Sequence, residues 1–158
     1  MPRRSAATAS LPTASWLALD HQLCFALYST SLAMTKLYKP LLAPLRLTYS
    51  QYLVMLALWE TDGLGVSDIG ERLWLDSGTL TPLLKRLEQQ GLVRRERQAG
   101  DERRVGIWLT TAGTALQADA VNIPKSIACA TQCDLDEISV LTQRLKTLRG
   151  HIRQATSA

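Results

Sequence analysis

The chain has 158 residues, 46% of them apolar, enough for one buried core without disulfide or metal staples. Its net charge of +4 suits a polyanionic partner, and no apolar run approaches the roughly 18–20 residues of a membrane span. Two isolated histidines, His21 and His151, and three cysteines, Cys24, Cys129 and Cys133, complete neither a zinc set nor a catalytic constellation, so no enzyme, cofactor or metal is expected.

Residues 1–15 are rich in Ala, Ser and Thr and lack the apolar stretch of a secretion signal, which predicts a loose tail on a soluble, cytoplasmic protein. From Trp16 to Tyr38 the positions Leu19, Leu23, Leu27, Thr30, Met34 and Leu37 recur at helical spacing, and Lys39-Pro40 is expected to end that helix. A second helix is expected from near Tyr49 to near Gly63, with Tyr52, Leu53, Leu56 and Trp59 on one stripe. A short polar-capped helix follows at Ser67–Arg72. A fourth runs from Ser77, read as its N-cap, to Gln90, with Gly91 just past its end and Leu80, Leu83, Leu84 and Leu87 facing inward.

The period then changes. Leu92–Arg97 and Val105–Leu109 read as paired strands, with Gln98–Arg104 as the tip of a charged hairpin. Thr110 is expected to cap a long helix kinked at Pro124. The last helix, Leu135–Arg153, places Ile138, Leu141, Leu145, Leu148 and Ile152 at alternating intervals of three and four, the seam of a helix that packs against another helix. Such a seam fits pairing between subunits.

Helix, helix, helix and a two-stranded ribbon is the order of a winged helix-turn-helix. The expected fold is therefore mainly α with a small antiparallel β-hairpin wing, divided into a DNA-binding region at 49–110 and dimerisation helices at 16–48 and 111–158. A helix about 10–12 Å across fits the major groove, and a ribbon reaches the backbone or the minor groove. Between Lys85 and Arg104 seven basic residues stand against four acidic ones. From charge alone this is equally a solvated face or a phosphate-contacting surface. In the wing order, Ser77, Thr79 and Thr81 are placed to approach base edges, and Lys85 and Arg86 to meet phosphates. The partner so implied is double-stranded DNA, and a two-fold homodimer implies an inverted-repeat operator.

The stretch Asp101-Glu102-Arg103-Arg104-Val105-Gly106-Ile107-Trp108-Leu109-Thr110-Thr111-Ala112-Gly113 resembles the D-x-R…L-T-x-x-G wing signature of the MarR family of regulators. The resemblance implies that Asp101 orients Arg103 into the minor groove, with Arg104 beside it on the wing.

Cys24 lies among apolar residues of the first helix, where a cysteine is either a small hydrophobe or a reactive thiol. Tyr38 and Tyr49 follow it by 14 and 25 residues, and a phenol that donates to a thiolate favours the nucleophilic form. Fourteen helical residues span roughly 21 Å, so Tyr38 cannot reach Cys24 of its own helix, whereas an antiparallel partner subunit can bring the two together. This spacing, with Leu19–Tyr28 and Leu47–Tyr52, resembles the branch of the family that represses transcription until an organic hydroperoxide is sensed. The resemblance implies Cys24 as the peroxidatic cysteine, oxidised to sulfenic acid. It implies Cys129 as the resolving cysteine across the dimer, with Cys133 as a spare. Other readings are a regulator that binds a small phenolic ligand without thiol chemistry, a thiol peroxidase, and an architectural DNA binder. The wing and the absence of a thioredoxin-like pattern or C-x-x-C motif weigh against the peroxidase.

Overall fold

The computed structural model describes residues 16–98 and 101–156, apart from the side chains of residues 98 and 101–104. The chain divides into two compact units, residues 1–37 and 38–158. In the first, a 3-10 turn at Leu19–His21 precedes α1 (Leu23–Leu42), so the helix starts later than its apolar periodicity suggested. Leu23, Tyr28 and Leu32 are exposed, whereas Leu27 and Met34 are half-buried.

Pro40 does not end α1; the helix continues to Leu42 with the proline inside it. A proline in the final turn forfeits one hydrogen bond, a cost that neighbouring turns can carry. The reversal comes at Pro44 and Arg46, where Arg46 adopts φ 56° and the Leu47 N–H returns to the Leu42 carbonyl at 3.3 Å. Thr48 then opens α2 (Tyr49–Glu60) with a reciprocal cap: its hydroxyl accepts from Gln51 N–H, and the Gln51 side chain accepts from Thr48 N–H at 2.8 Å.

α2 is the core helix of the second unit. Its buried residues, Gln51, Tyr52, Val54, Met55, Ala57 and Leu58, lie on more than one face. Leu53, Leu56 and Trp59, expected on one stripe with Tyr52, are only half-buried. A helix packed on several sides has no single stripe to read.

β1 (Leu64–Gly65) leads into α3 (Val66–Leu73). α3 ends on Trp74 at φ 60°, ψ 37°, with the Leu75 N–H donating to the Gly70 carbonyl at 2.9 Å. This left-handed stop is usually made by glycine. The guanidinium of Arg149 lies 4.7 Å from the centre of the Trp74 ring and that of Arg153 5.5 Å, so the turn before the next helix is covered by two cations.

α4 (Ser77–Gln89) is capped by Asp76, not by Ser77, which is the first helical residue. Its far end closes as expected: Gly91 takes φ 72°, its N–H bonds the Glu88 carbonyl, and the Leu92 N–H bonds the Leu87 carbonyl. Leu80, Leu84 and Leu87 are buried and Leu83 half-buried.

β2 (Val93–Gln98) and β3 (Asp101–Leu109) form an antiparallel ribbon, with a register shift between Arg97 and Gln98. The strand therefore begins at Asp101, inside the segment expected as hairpin tip. β1 adds a third strand, pairing Leu64 with Ile107 and Gly65 with Gly106 in the order β1-β3-β2.

Thr110 caps α5 (Thr111–Ala120), its hydroxyl accepting from Gly113 N–H at 3.0 Å. The expected kink is a break. α6 (Ile123–Thr131) starts anew with Pro124 in its first turn, where the missing N–H costs nothing. α7 (Leu135–Thr156) has no buried residue; Leu141, Leu145 and Ile152 are each about half exposed. Among the described residues no helix is long and apolar enough to cross a membrane.

Candidate functional site

The residues singled out by sequence fall into two groups. The first is the helix-turn-helix and wing. Ser77, Thr79, Thr81, Lys85 and Arg86 are all exposed on α4, opposite the buried Leu80, Leu84 and Leu87. Thr79 is tied at the helix start: its N–H donates to Asp76 Oδ1 at 2.8 Å and its hydroxyl to Asp76 Oδ2 at 3.1 Å. These two bonds, the backbone one foremost, hold the Asp76 carboxyl below its ordinary 3.8. A lowered folded-state value means the cap stabilises α4 above pH 3.8 and is lost as pH falls from there through the lowered value. Acid titration followed by circular dichroism is expected to show this component in the native chain but not in Asp76→Asn, which keeps a capping oxygen without the charge. An unchanged acid profile in that variant counts against the charged cap.

The arginines of the wing do not act alike. Arg94 donates to the Leu109 carbonyl at 2.9 Å and pairs with Glu96, while Arg95 reaches Glu88 of α4 at 3.3 Å. Both contacts brace the ribbon, Arg95 by joining it to α4. Asp62 adds a further brace, its Oδ1 accepting from the Leu109 N–H at 2.8 Å. Asp101, Arg103 and Arg104 occupy β3; their side chains lie outside the described residues.

The second group is the thiols and phenols. Cys24 is exposed on α1, Cys129 is exposed on α6, Cys133 is partly exposed after α6, and all three are free. Tyr38 and Tyr49 come together at the corner between α1 and α2, ring centres 4.7 Å apart, and the buried Tyr52 joins them at 5.7 Å from Tyr38. Burial first, then the neighbouring Tyr49 and Tyr52, push Tyr38 up to about 12; burial also raises Tyr49. The phenols therefore remain donors throughout the neutral range. Because the folded-state value is raised, the stability this burial implies is complete below pH 10 and is lost as pH rises through about 12. Subtracting the tyrosinate absorbance titration of Tyr38→Phe from that of the native chain is expected to leave a step near 12. A step near 10 instead would count against the buried cluster.

Residues 47–105 match the model of the MarR family. Over 136 residues the chain is 50% identical to the organic hydroperoxide resistance transcriptional regulator of Bacillus subtilis, covering 86% of this chain and 92% of that protein. The chain belongs to the MarR family. Like its relatives in that family it is a transcriptional regulator and not an enzyme. Among solved structures it superposes on AbfR of Staphylococcus epidermidis in two states. With the reduced protein bound to DNA it shares 38% identity over 89% of this chain and 99% of that one, at a TM-score of 0.73. With the disulfide-formed protein it shares 40% identity over 85% and 95%, at a TM-score of 0.59.

Within this MarR-family chain, three contributors to the site escaped the sequence reading. Asp76 was masked by Ser77, since either residue type caps a helix. Tyr52, expected only as one member of the α2 stripe, is buried, and its ring completes the phenol cluster. In the sequence Gly113 stands out only as the last residue of the wing signature. It proves to be the point where the Trp59 indole, donating to the Gly113 carbonyl at 2.9 Å, locks α2 to the start of α5.

Proposed function

We propose that this regulator is an organic-hydroperoxide-sensing repressor of transcription, with Cys24 as its sensor. The observation that supports this reading is an exposed thiol on α1 in a chain that also packs two protonated phenols against each other at positions 38 and 49. In a dimer with antiparallel first helices the phenols of one subunit donate to the Cys24 thiolate of the other. The thiolate attacks the peroxide oxygen, giving sulfenic acid and releasing an alcohol. Condensation with the partner's Cys129 expels water and closes an intersubunit disulfide, with Cys133 in reserve. The half-buried Phe25 and Leu27 beside Cys24, with Met34 farther along α1, favour alkyl peroxides over hydrogen peroxide.

In the same reading residues 49–110 bind double-stranded operator DNA as an inverted repeat, while residues 16–48 and 111–158 form the homodimer. The half-exposed seam of α7 supports that dimer. Ser77, Thr79 and Thr81 face base edges, Lys85, Arg86 and Arg104 meet phosphates, and Arg103, oriented by Asp101, enters the minor groove. A disulfide needs Cα atoms within about 7 Å. Closing it moves the dimer helices, takes the two α4 helices off the roughly 34 Å spacing of successive major grooves, and releases the DNA.

A non-reducing gel after brief treatment with cumene hydroperoxide tests this. A dimer-sized band is expected in the native chain and absent in Cys129→Ser; persistence of the band in that variant transfers the resolving role to Cys133. A second reading has one observation in its favour, a cavity of about 280 Å³ lined by Tyr52, Leu56, Trp59, Gln117 and Pro124, large enough for a small phenolic ligand. That reading predicts release of DNA by the ligand with no change in any thiol.

A further inference from the structure

α6 ends at Thr131 and α7 begins at Leu135, so Cys133 stands in the short joint between two helices while Cys129 occupies the last turn of α6. In an unbroken helix, residues four apart hold their Cβ atoms about 5–6 Å apart. That exceeds the ~3.5–4.5 Å of a disulfide. Here the helix is broken between the two cysteines: Gln132 is left-handed, φ 55° and ψ 21°, and its N–H turns back to the Cys129 carbonyl at 3.3 Å. Cys133 is thereby released from helical register. Its thiol has the Thr131 carbonyl as a partner at 3.5 Å, a weak sulfur contact. Both cysteines line one open cavity of about 610 Å³, bordered by Ala128, Asp134, Leu135 and Asp136.

We propose that Cys129 and Cys133 are a second redox centre, an intrachain dithiol that takes over the disulfide first formed with Cys24. The transfer step rests on the hydroperoxide reading above; the dithiol itself does not. The Cys133 thiolate attacks Cys129 Sγ of the intersubunit disulfide. The Cys129–Cys133 bond forms, the Cys24–Cys129 bond breaks, and the electron pair leaves on Cys24 as thiolate. No oxidant is consumed in this exchange: the two oxidising equivalents delivered by the organic peroxide only change address. Cys24 is reset while the chain stays oxidised, and each subunit can then reduce a second peroxide, ending with sulfenic acid at Cys24. The intersubunit cross-link becomes a transient state, and Cys133 is the residue that limits its lifetime.

The test uses the full chain, one equivalent of cumene hydroperoxide per subunit, and alkylation at intervals before non-reducing gels and peptide mass mapping. The cross-linked band is expected to rise and then fall in the native chain, leaving one alkylatable thiol per subunit, Cys24. In Cys133→Ser the band is expected to persist at least about tenfold longer. In a separate run with the peroxide in excess, fast consumption should be two equivalents per subunit in the native chain and one in Cys133→Ser. A band equally long-lived in both, with Cys133 still alkylatable, overturns the transfer. The dithiol is tested separately by diamide oxidation of Cys24→Ser. Monomer lighter by two hydrogen atoms, with positions 129 and 133 both protected, supports it; two alkylatable thiols after diamide overturn it. If peroxide gives no cross-link even in Cys133→Ser, the Cys24–Cys129 disulfide is wrong and the transfer falls with it, while the diamide result still decides the dithiol.

Discussion

Cys24→Ser is expected to bind operator DNA as tightly as the native chain and to keep it when an organic peroxide is added. Serine preserves the size and the exposed position of the side chain on α1 but offers no thiolate, so the oxidation never starts. Fluorescence anisotropy of a labelled operator duplex, selected from a random pool, reads the difference at one fixed salt concentration, because phosphate contacts make affinity steeply salt-dependent. On cumene hydroperoxide the native dimer is expected to weaken by at least about tenfold, equivalent to ~1.4 kcal/mol. The variant should stay within about twofold, well under half that energy. Peroxide-driven release from Cys24→Ser would remove the thiol from the mechanism and leave the cavity beside Trp59 as the place to look for a signal. Equal sensitivity of the native chain to hydrogen peroxide would overturn the preference for alkyl peroxides argued from Phe25, Leu27 and Met34.

Much of this architecture could be read from the chain, because the features that build it are local. The switch from helical period to alternation at Leu92 reports the wing; the glycine at position 91 and the threonine at position 110 mark helix ends by the conformations they favour. What escaped reading depends on contacts distant in sequence. β1 is two residues long, too short for any periodicity, and exists because Leu64 and Gly65 find Ile107 and Gly106. The stripe expected on α2 is not its buried face, because that helix is packed on several sides. Pro40 stays inside α1, since a steric preference against helix near proline yields where only the last turn is at stake. The candidate site divides in the same way. Spacing and the family resemblance together bring out Cys24, Tyr38 and Tyr49, while the contact of the two phenol rings and their partner Tyr52 follow from the corner at Arg46, which has no sequence signature. Arg94 and Arg95 cannot be told from the other wing cations by counting charge; only their contacts with Leu109, Glu96 and Glu88 mark them as braces of the ribbon.

Gly113→Ala is expected to destabilise the protein more than any other single-methyl change on these elements. Alanine is ordinarily the better helix former, by about 0.8–1.0 kcal/mol, and position 113 lies within the first turn of α5. Yet a Cβ there would stand 2.0 Å from the Leu92 carbonyl oxygen and 3.0 Å from its carbon, with Leu109 Cδ2 at 3.3 Å. The first two are backbone atoms, so no rotamer change relieves the clash. Either α5 lifts from the end of α4 or the ribbon shifts, and each displacement strains the bonds that meet here: Trp59 on the Gly113 carbonyl, Thr110 on the Gly113 N–H, and the Thr110 hydroxyl on the Gly91 carbonyl. Overpacking of this kind costs about 1–3 kcal/mol, and backbone contact places it at the upper end. For a chain of this length that lowers the melting temperature by roughly 6–12 °C, since each kcal/mol moves it by about 2–4 °C. Ala112→Gly, exposed one residue earlier, is the control and should lose no more than about 1 kcal/mol. A Gly113→Ala protein melting within about 2 °C of the native chain would mean that α5 yields freely at its start. The wing would then no longer be rigidly joined to the helices beyond it, and motion of those helices could not be carried to α4 by this route.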